Sequence, residues 1–266
     1  MRVIIITGNK YRHKYFRKKV SNDKRINVLA SYCEEETKIK KQVFLQKKEN
    51  FFLRNHLKAR LKSEEDFFQD VFEDQIDNSS PIIIKKGDIN MPNVVENIIK
   101  KNPDLLVCYG SSLIKSKLLK FFKDRFLNIH LGLSPYYRGS GTNVWPLINN
   151  QPHMVGATFM HIDEGIDTGR IIHQINADIF LGDNPHTIGN RLIKKMTLLT
   201  KEVIYNFKSL DDISQPNVKK SLLYLKKDFD ENACRKLYDN FNNGMIENFI
   251  REKKKLINLV QNKKLM

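Results

Sequence analysis

The feature that most restricts this chain is a rhythm that begins at Pro81, where short β-branched runs alternate with short amphipathic stretches. Ile82 to Ile84 reads as a strand, and Val94, Val95, Ile98 and Ile99 mark one face of a helix opened by Pro92 and stopped at Asn102-Pro103. Leu105 to Tyr109 is the next strand, Ser116 to Phe122 a short helix, and Arg125 to His130 a further strand. Neighbouring parallel strands need a crossover connection, so strands that alternate with helices predict a mostly parallel sheet with helices on its faces, the doubly wound α/β class. The amino-terminal end agrees. Arg2 to Thr7 is β-branched without polar alternation, as in a strand buried on both faces, and Gly8 breaks it ahead of a helix over Asn9 to Val20. A weaker strand is expected at Ile26 to Tyr32, then a helical core face from Gln42 to Phe72 carrying Phe44, Phe51, Phe52, Leu57, Leu61, Phe67, Phe68 and Phe72. Ligands of such sheets sit beyond the carboxyl ends of the strands.

After His130 the texture changes, because eight of the twelve glycines fall between Gly132 and Gly189 together with Pro135, Pro146, Pro152 and Pro185. Specialised turns are expected there, with a helix at Thr142 to Asn149 and strands at Val155 to Ile162 and Ile171 to Ile175. A helix from Pro185 to Phe207 closes a first domain over residues 1–207. The extension, 208–266, is expected to hold a strand at Leu222 to Leu225. One long helix should follow from Asp230, with an apolar stripe of Leu237, Phe241, Met245, Phe249, Leu256 and Val260.

Composition narrows the function classes. At 266 residues the chain can bury a full core, and no apolar run approaches the roughly 18 residues of a membrane-spanning helix. Cys33, Cys108 and Cys234 are too far apart for a CxxC metal site and are odd in number. A reducing, cytoplasmic setting is expected. The net charge of +16 invites a nucleic-acid reading, yet lysine is absent between Lys123 and Lys194, where the informative residues lie.

Two polar clusters carry possible chemistry. In Phe126-Leu127-Asn128-Ile129-His130 the period-two alternation of a strand puts Asn128 and His130 on one face at its carboxyl end. The second cluster, His161 to Gly169, holds Asp163 and Asp167 around a glycine turn. It admits a plain surface turn, a metal site of His161, Asp163, Asp167 and His173, or a carboxylate serving His130.

The run Asn128-Ile129-His130, then Ser134-Pro135-Tyr136-Tyr137-Arg138-Gly139, then Asp163-Glu164-Gly165-Ile166-Asp167-Thr168-Gly169 resembles the formyltransferases that use 10-formyltetrahydrofolate. That family includes glycinamide ribonucleotide transformylase, methionyl-tRNA formyltransferase, formyltetrahydrofolate hydrolase and the nucleotide-sugar N-formyltransferases. The likeness covers residues 80 to 200 well and the first eighty in outline. It implies a Rossmann-like formyltransferase fold in which Asn128, His130 and Asp167 are the catalytic residues. It further implies that Tyr109, Ser111, Ser112, Leu113 and Ile114 lie beside the pterin of 10-formyltetrahydrofolate, with His161, Asp163 and Gly165 closing over its other edge. No metal is called for. An amine attacking a formyl carbon creates an oxyanion, which donors such as Asn128 and His130 stabilise, while a carboxylate favours the protonated imidazole and accepts the amine's proton. One departure is visible: the family has serine two residues after the histidine, where this chain has Gly132, so Ser134 becomes the substitute contact.

For the acceptor, the glycine-rich phosphate loop of glycinamide ribonucleotide transformylases is reduced here to Gly8-Asn9 followed by Lys10, Tyr11, Arg12 and His13. Residues 208–266 are too short and too helical for the barrel-like tRNA-gripping domain of methionyl-tRNA formyltransferases, although Lys253, Lys254, Lys255, Lys263 and Lys264 keep tRNA as the alternative. The resemblance fits best a small-molecule amine, the amino group of a nucleotide-linked sugar, with Arg12, Ser134, Tyr136 and Arg138 as candidate contacts. A formyltetrahydrofolate hydrolase and a non-catalytic folate or nucleotide sensor remain as further readings. Membrane attachment is not expected, and the carboxyl-terminal stripe can pack onto the first domain or meet a second copy in a homodimer.

Overall fold

A computed structural model describes residues 1–35, 51–69, 76–252 and 257–265. In chain order the elements are β1 (Arg2–Gly8), α1 (Tyr11–Ser21), β2 (Asn27–Glu35), α2 (Phe51–Phe68), β3 (Pro81–Lys85), α3 (Pro92–Lys101), β4 (Leu105–Tyr109), α4 (Ser116–Phe121) and β5 (Phe126–His130). There follow β6 (Tyr137–Gly139), α5 (Trp145–Ile148), β7 (Gly156–His161), β8 (Ile171–Asn176), α6 (Pro185–Asn206), β9 (Leu222–Tyr224), α7 (Glu231–Asn242) and α8 (Met245–Glu252). Seven strands form one sheet in the order β3-β2-β1-β4-β5-β7-β8, and β6 pairs with β9 in a second, two-stranded sheet. β3, β2, β1, β4 and β5 are parallel neighbours, whereas β7 runs antiparallel to both β5 and β8.

Alternation along the strands builds a core on each face. Val3, Ile5, Leu105, Val107, Leu127 and Ile129 face the packing of α1 and α6, while Ile4, Ile6, Leu106 and Phe126 face Ile89, Val95, Ile98, Leu118 and Phe122. The order reverses between β1 and β4, so a crevice opens at their carboxyl ends, the usual ligand position in open α/β sheets. There the His13 ring packs against Gly8 and Gly110, and a Cβ at either glycine would collide with it. His13 Nδ1 accepts a hydrogen bond from the Lys10 amide at 3.2 Å, so α1 caps its own first turn where a glycine-rich loop would offer amides to phosphate.

Most elements fall where the patterning puts them, and the differences have local causes. The helix expected at Thr142 to Asn149 shrinks to Trp145–Ile148. The single long carboxyl-terminal helix is instead α7 and α8, broken at Gly244, whose φ of +75° a helix cannot contain. Val260 lies outside any helix, where its carbonyl accepts from the Gln174 amide at 2.7 Å. In the segment expected to be a helical core face, Phe51 and Leu61 point to solvent, while Leu53, His56, Glu64 and Phe68 point inward. Phe44, Phe72, Lys253, Lys254, Lys255 and Leu256 lie outside the described residues. Among the described residues no helix is long and apolar enough to cross a membrane.

Candidate active site

Asn128 and His130 share the Phe126 face of β5, and the turn after β7 brings Asp167 to them across 39 residues of chain. Asp167 Oδ1 accepts from Asn128 Nδ2 at 3.0 Å, and Oδ2 accepts from the Gly139 amide at 2.8 Å and lies 3.3 Å from His130 Nδ1. His130 Nε2 is 2.8 Å from the Tyr137 carbonyl. Each ring nitrogen therefore has an oxygen within reach, Asp167 Oδ2 at Nδ1 and the Tyr137 carbonyl at Nε2. Asp167 joins the three side chains, hydrogen-bonded to Asn128 and 3.3 Å from His130 Nδ1, with His130 buried and Asn128 partly open at the strand end.

Asp167 adopts φ +53°, the left-handed region that Asp and Asn tolerate better than most residues. Two groups hold it there from outside its own turn: the Gly139 amide, and Gln215 Nε2, which donates to the Asp167 and Gly169 carbonyls at 2.9 Å each. Gln215 belongs to the polar stretch after α6, and no motif marked it. Arg138 reaches Ser221 Oγ at 3.0 Å and the Ile166 carbonyl at 3.5 Å, so it binds the same turn to the extension.

The absent serine at position 132 has a steric reason. A Cβ there would strike His130 Nε2 and would stand 2.7 Å from both Thr142 Cβ and the Tyr137 carbonyl oxygen. Thr142 Oγ1 occupies that space instead, 3.4 Å from His130 Nε2 and donating to the Leu131 carbonyl at 2.7 Å. Ser134, the expected substitute, is 1% exposed; its amide donates to Thr158 Oγ1 at 3.1 Å and its carbonyl accepts from Gln174 Nε2 at 2.7 Å. Tyr136 is partly buried, and its carbonyl accepts from the Leu222 amide, which commits it to the β6–β9 connection.

The other expected positions divide. Tyr109 turns its ring towards His13 and Phe16, and burial pushes its phenol up to about 12, while its carbonyl accepts from Thr7 Oγ1. Ser111, Ser112, Leu113 and Ile114 form an irregular loop between β4 and α4, with Leu113 outward and Ile114 inward. His161 Nε2 meets Asp212 Oδ2 at 3.1 Å, and Asp163 Oδ1 accepts from Gly165 N and Thr168 Oγ1 within its own turn. Burial lowers the pKa of His161 despite Asp212 beside it. His173 Nδ1 accepts from the Asn262 amide. The four residues of the metal reading thus go to separate partners. Among the described residues no group of three or more His, Cys, Asp or Glu could hold a metal ion. Trp145 stacks on Tyr224 with ring centres 3.9 Å apart and donates to the Ser140 carbonyl, so it is a packing residue.

Sequence patterning underrated one cluster. His56, Arg60 and Glu64 follow at intervals of four along α2, giving a polar stripe turned towards α1, α6 and α7. Arg12 Nη1 and Arg60 Nε converge on the same oxygen, Glu64 Oε1, at 2.6 and 3.0 Å. Burial alone would raise the Glu64 carboxyl, but the two guanidinium groups outweigh it and hold its pKa below the usual range. Burial and then Arg12 lower the pKa of Arg60, although a third of its side chain (33%) is exposed. Arg12, expected as an acceptor contact, has a side chain only 12% exposed.

The profile of the family described as Formyl transferase matches residues 2–204. The chain belongs to the formyl transferase family. The methionyl-tRNA formyltransferase of Thermodesulfovibrio yellowstonii is 40% identical over 103 residues, which is 36% of this chain and 33% of that protein. The GDP-perosamine N-formyltransferase of Brucella melitensis is 32% identical over 104 residues, 39% of this chain and 40% of that protein. The formyl transferase chain thus spans well under half the length of these curated relatives. Among solved structures, a 4-N formyltransferase from Francisella tularensis superposes with a TM-score of 0.55 at 23% identity, over 86% of this chain and 77% of that one. That likeness speaks for the fold.

Proposed function

We propose that this chain is an N-formyltransferase that moves a formyl group from 10-formyltetrahydrofolate to the primary amine of a nucleotide-linked amino sugar in the cytoplasm. The observation that carries the transfer chemistry is the Asn128–His130–Asp167 unit at the carboxyl end of β5. In this reading the Asn128 amide and the His130 imidazole stabilise the developing oxyanion, and removal of either costs on the order of a hundredfold or more in rate. Asp167 accepts the proton that the attacking amine loses, directly or through water. The loop at 110–115 holds the pterin, and the donor supplies the one-carbon unit without a metal.

The acceptor reading rests on Arg12 and Arg60. Two guanidinium groups share one carboxylate, so the pair keeps a net positive charge and unused N–H donors beside the β1/β4 crevice, which suits a diphosphate. His13 fills the place where helix amides would meet a monophosphate ester. A relative whose printed acceptor is GDP-perosamine agrees with this class. The tRNA alternative keeps support from the methionyl-tRNA formyltransferases among the relatives.

The test is tetrahydrofolate formation from 10-formyltetrahydrofolate with nucleotide amino sugars, with charged initiator tRNA, and with no acceptor. Turnover dependent on an amino sugar supports the proposal. Turnover with tRNA alone shifts the assignment to the tRNA enzyme, formate release without acceptor to a hydrolase, and donor binding without turnover to a sensor.

A further inference from the structure

The loop proposed to hold the donor's pterin, residues 110–115, is not shaped by a strand or a helix. Two side chains from neighbouring elements shape it. Glu34, at the end of β2 and 6% exposed, accepts the Gly87 amide on Oε1 at 2.8 Å and the Ser112 amide on Oε2 at 2.5 Å. Asn90, in the short turn after β3, donates from Nδ2 to the Leu113 carbonyl at 3.0 Å and accepts from the Lys115 amide on Oδ1 at 2.8 Å. Three successive stretches of the loop backbone are thereby tied to β2 and to the turn at 87–90. A carboxylate is suited to this place because its two oxygens accept two backbone N–H groups at once, and the hydrogen bonds are strengthened by its charge. A glutamine of the same shape would set an NH2 group against one of them.

We propose that Glu34, assisted by Asn90, is a positioning residue that fixes the donor loop and so sets affinity for the folate donor. The inference rests on the donor reading given above. Neither residue touches the Asn128–His130–Asp167 unit, so the effect belongs to donor binding and not to the chemical step. The exposed side chain of Leu113, whose carbonyl is one of the three tied groups, gives the loop an apolar surface whose height depends on those ties.

The experiment compares wild type, Glu34→Gln and Asn90→Ala in two measurements: binding of 5-formyltetrahydrofolate, an unreactive donor analogue, by titration calorimetry, and steady-state transfer with donor and acceptor varied separately. Donor affinity should fall roughly tenfold or more in Glu34→Gln and several-fold in Asn90→Ala, as expected for loss of oriented hydrogen bonds to a charged and a neutral group. The acceptor KM and the kcat at saturating donor should stay within about threefold, a split that a general loss of folding does not produce. Donor affinity within twofold of wild type in both variants, or an equal fall in kcat and acceptor KM, overturns the assignment. Wild type that binds no 5-formyltetrahydrofolate overturns it through the donor reading itself. Should Glu34→Gln fail to fold, Asn90→Ala alone decides, because its partly exposed side chain is absent from both cores.

Discussion

Replacing Asp167 by Asn tests the proposed chemistry with little change of shape. Asn tolerates φ +53°, so the turn can keep its backbone. The carboxylate now accepts from Asn128 on one oxygen and from the Gly139 amide on the other, which also lies 3.3 Å from His130 Nδ1. An amide has one accepting oxygen, so one orientation faces its NH2 to Asn128 and the other faces it to His130 and the Gly139 amide. The first rotates Asn128 out of its donating position, and the second sets an NH2 group against His130 Nδ1 and leaves the Gly139 amide unpaired. Either way Asn128 or His130 loses the partner that orients it towards the oxyanion, worth about 2.7–4 kcal/mol in the transition state, or roughly a hundred- to thousandfold in kcat. The fold loses only about 1–3 kcal/mol, the cost of one unsatisfied buried group. The assay is tetrahydrofolate formation at saturating donor and acceptor, with a thermal melt of the same sample. A folded variant that turns over within tenfold of wild type would refute the reasoning, as would a rate loss fully matched by unfolding.

Further outcomes follow from other parts of the molecule. Arg12→Lys and Arg60→Lys should each raise the acceptor KM on the order of tenfold and leave the donor KM alone, because a lysine cannot make the guanidinium's paired contacts; unchanged acceptor kinetics removes the anion-binding role. His56 and His186 are held down to about 3 and about 4, in both cases first by burial and then by neighbouring positive charge, so both are neutral in the fold and protonate on unfolding. Their contribution is complete above the ordinary histidine pKa and is lost as pH falls towards the folded values. Between pH 7 and 5 the pair should cost on the order of 4 kcal/mol, about 2 from each. A melting temperature flat over that range, or a fall that a His56→Phe variant shares in full, contradicts it. Gly139→Ala forces a side chain to φ +93° against the Tyr224 carbonyl and should weaken the β6–β9 pairing, read as a lower melting temperature together with lower kcat. Gln215→Ala should lower kcat about tenfold with both KM values kept, since it frees the turn bearing Asp167 without touching either ligand; equal kcat would show that the Gly139 amide suffices.

What the sequence discloses is what local patterning controls. The strand at Leu105 to Tyr109 appears with those bounds because five apolar residues are buried together, and α3 starts at Pro92 and stops before Asn102, whose φ of +47° ends it. Asn128 and His130 share a face because strand alternation leaves no other choice. The polar stripe His56–Arg60–Glu64 stayed hidden because aromatic residues on α2 suggested the opposite face, and an ion pair with Arg12 across 52 residues decides the matter. Gln215, Glu34 and Asn90 were equally illegible, since each acts through backbone groups far away in the chain, and no spacing rule reports which carbonyl or amide a side chain will reach. The split of the carboxyl-terminal helix was legible in Gly244, but the apolar stripe continued past it and outweighed it.

The position of the extension accounts for a tension in the site. The turn carrying Asp167 is rich in glycine and holds a residue in a conformation that costs roughly 1–2 kcal/mol relative to the right-handed one, so its own sequence does not favour the catalytic geometry. The compensation comes from residues after α6. Gln215 ties two carbonyls of the turn, Ile213 bridges Ile171 at the start of β8, and Ser221 accepts from Arg138 while donating to the Pro135 carbonyl at 2.6 Å. β9 then pairs with β6, whose Gly139 amide donates to Asp167, and Tyr224 of β9 stacks on Trp145. The family profile ends at residue 204, yet Gln215, which ties the backbone of the turn that carries Asp167, lies beyond it. The sheet alone places Asn128 and His130. The turn that bears Asp167 is braced by chain after α6, so the extension helps to shape the candidate site.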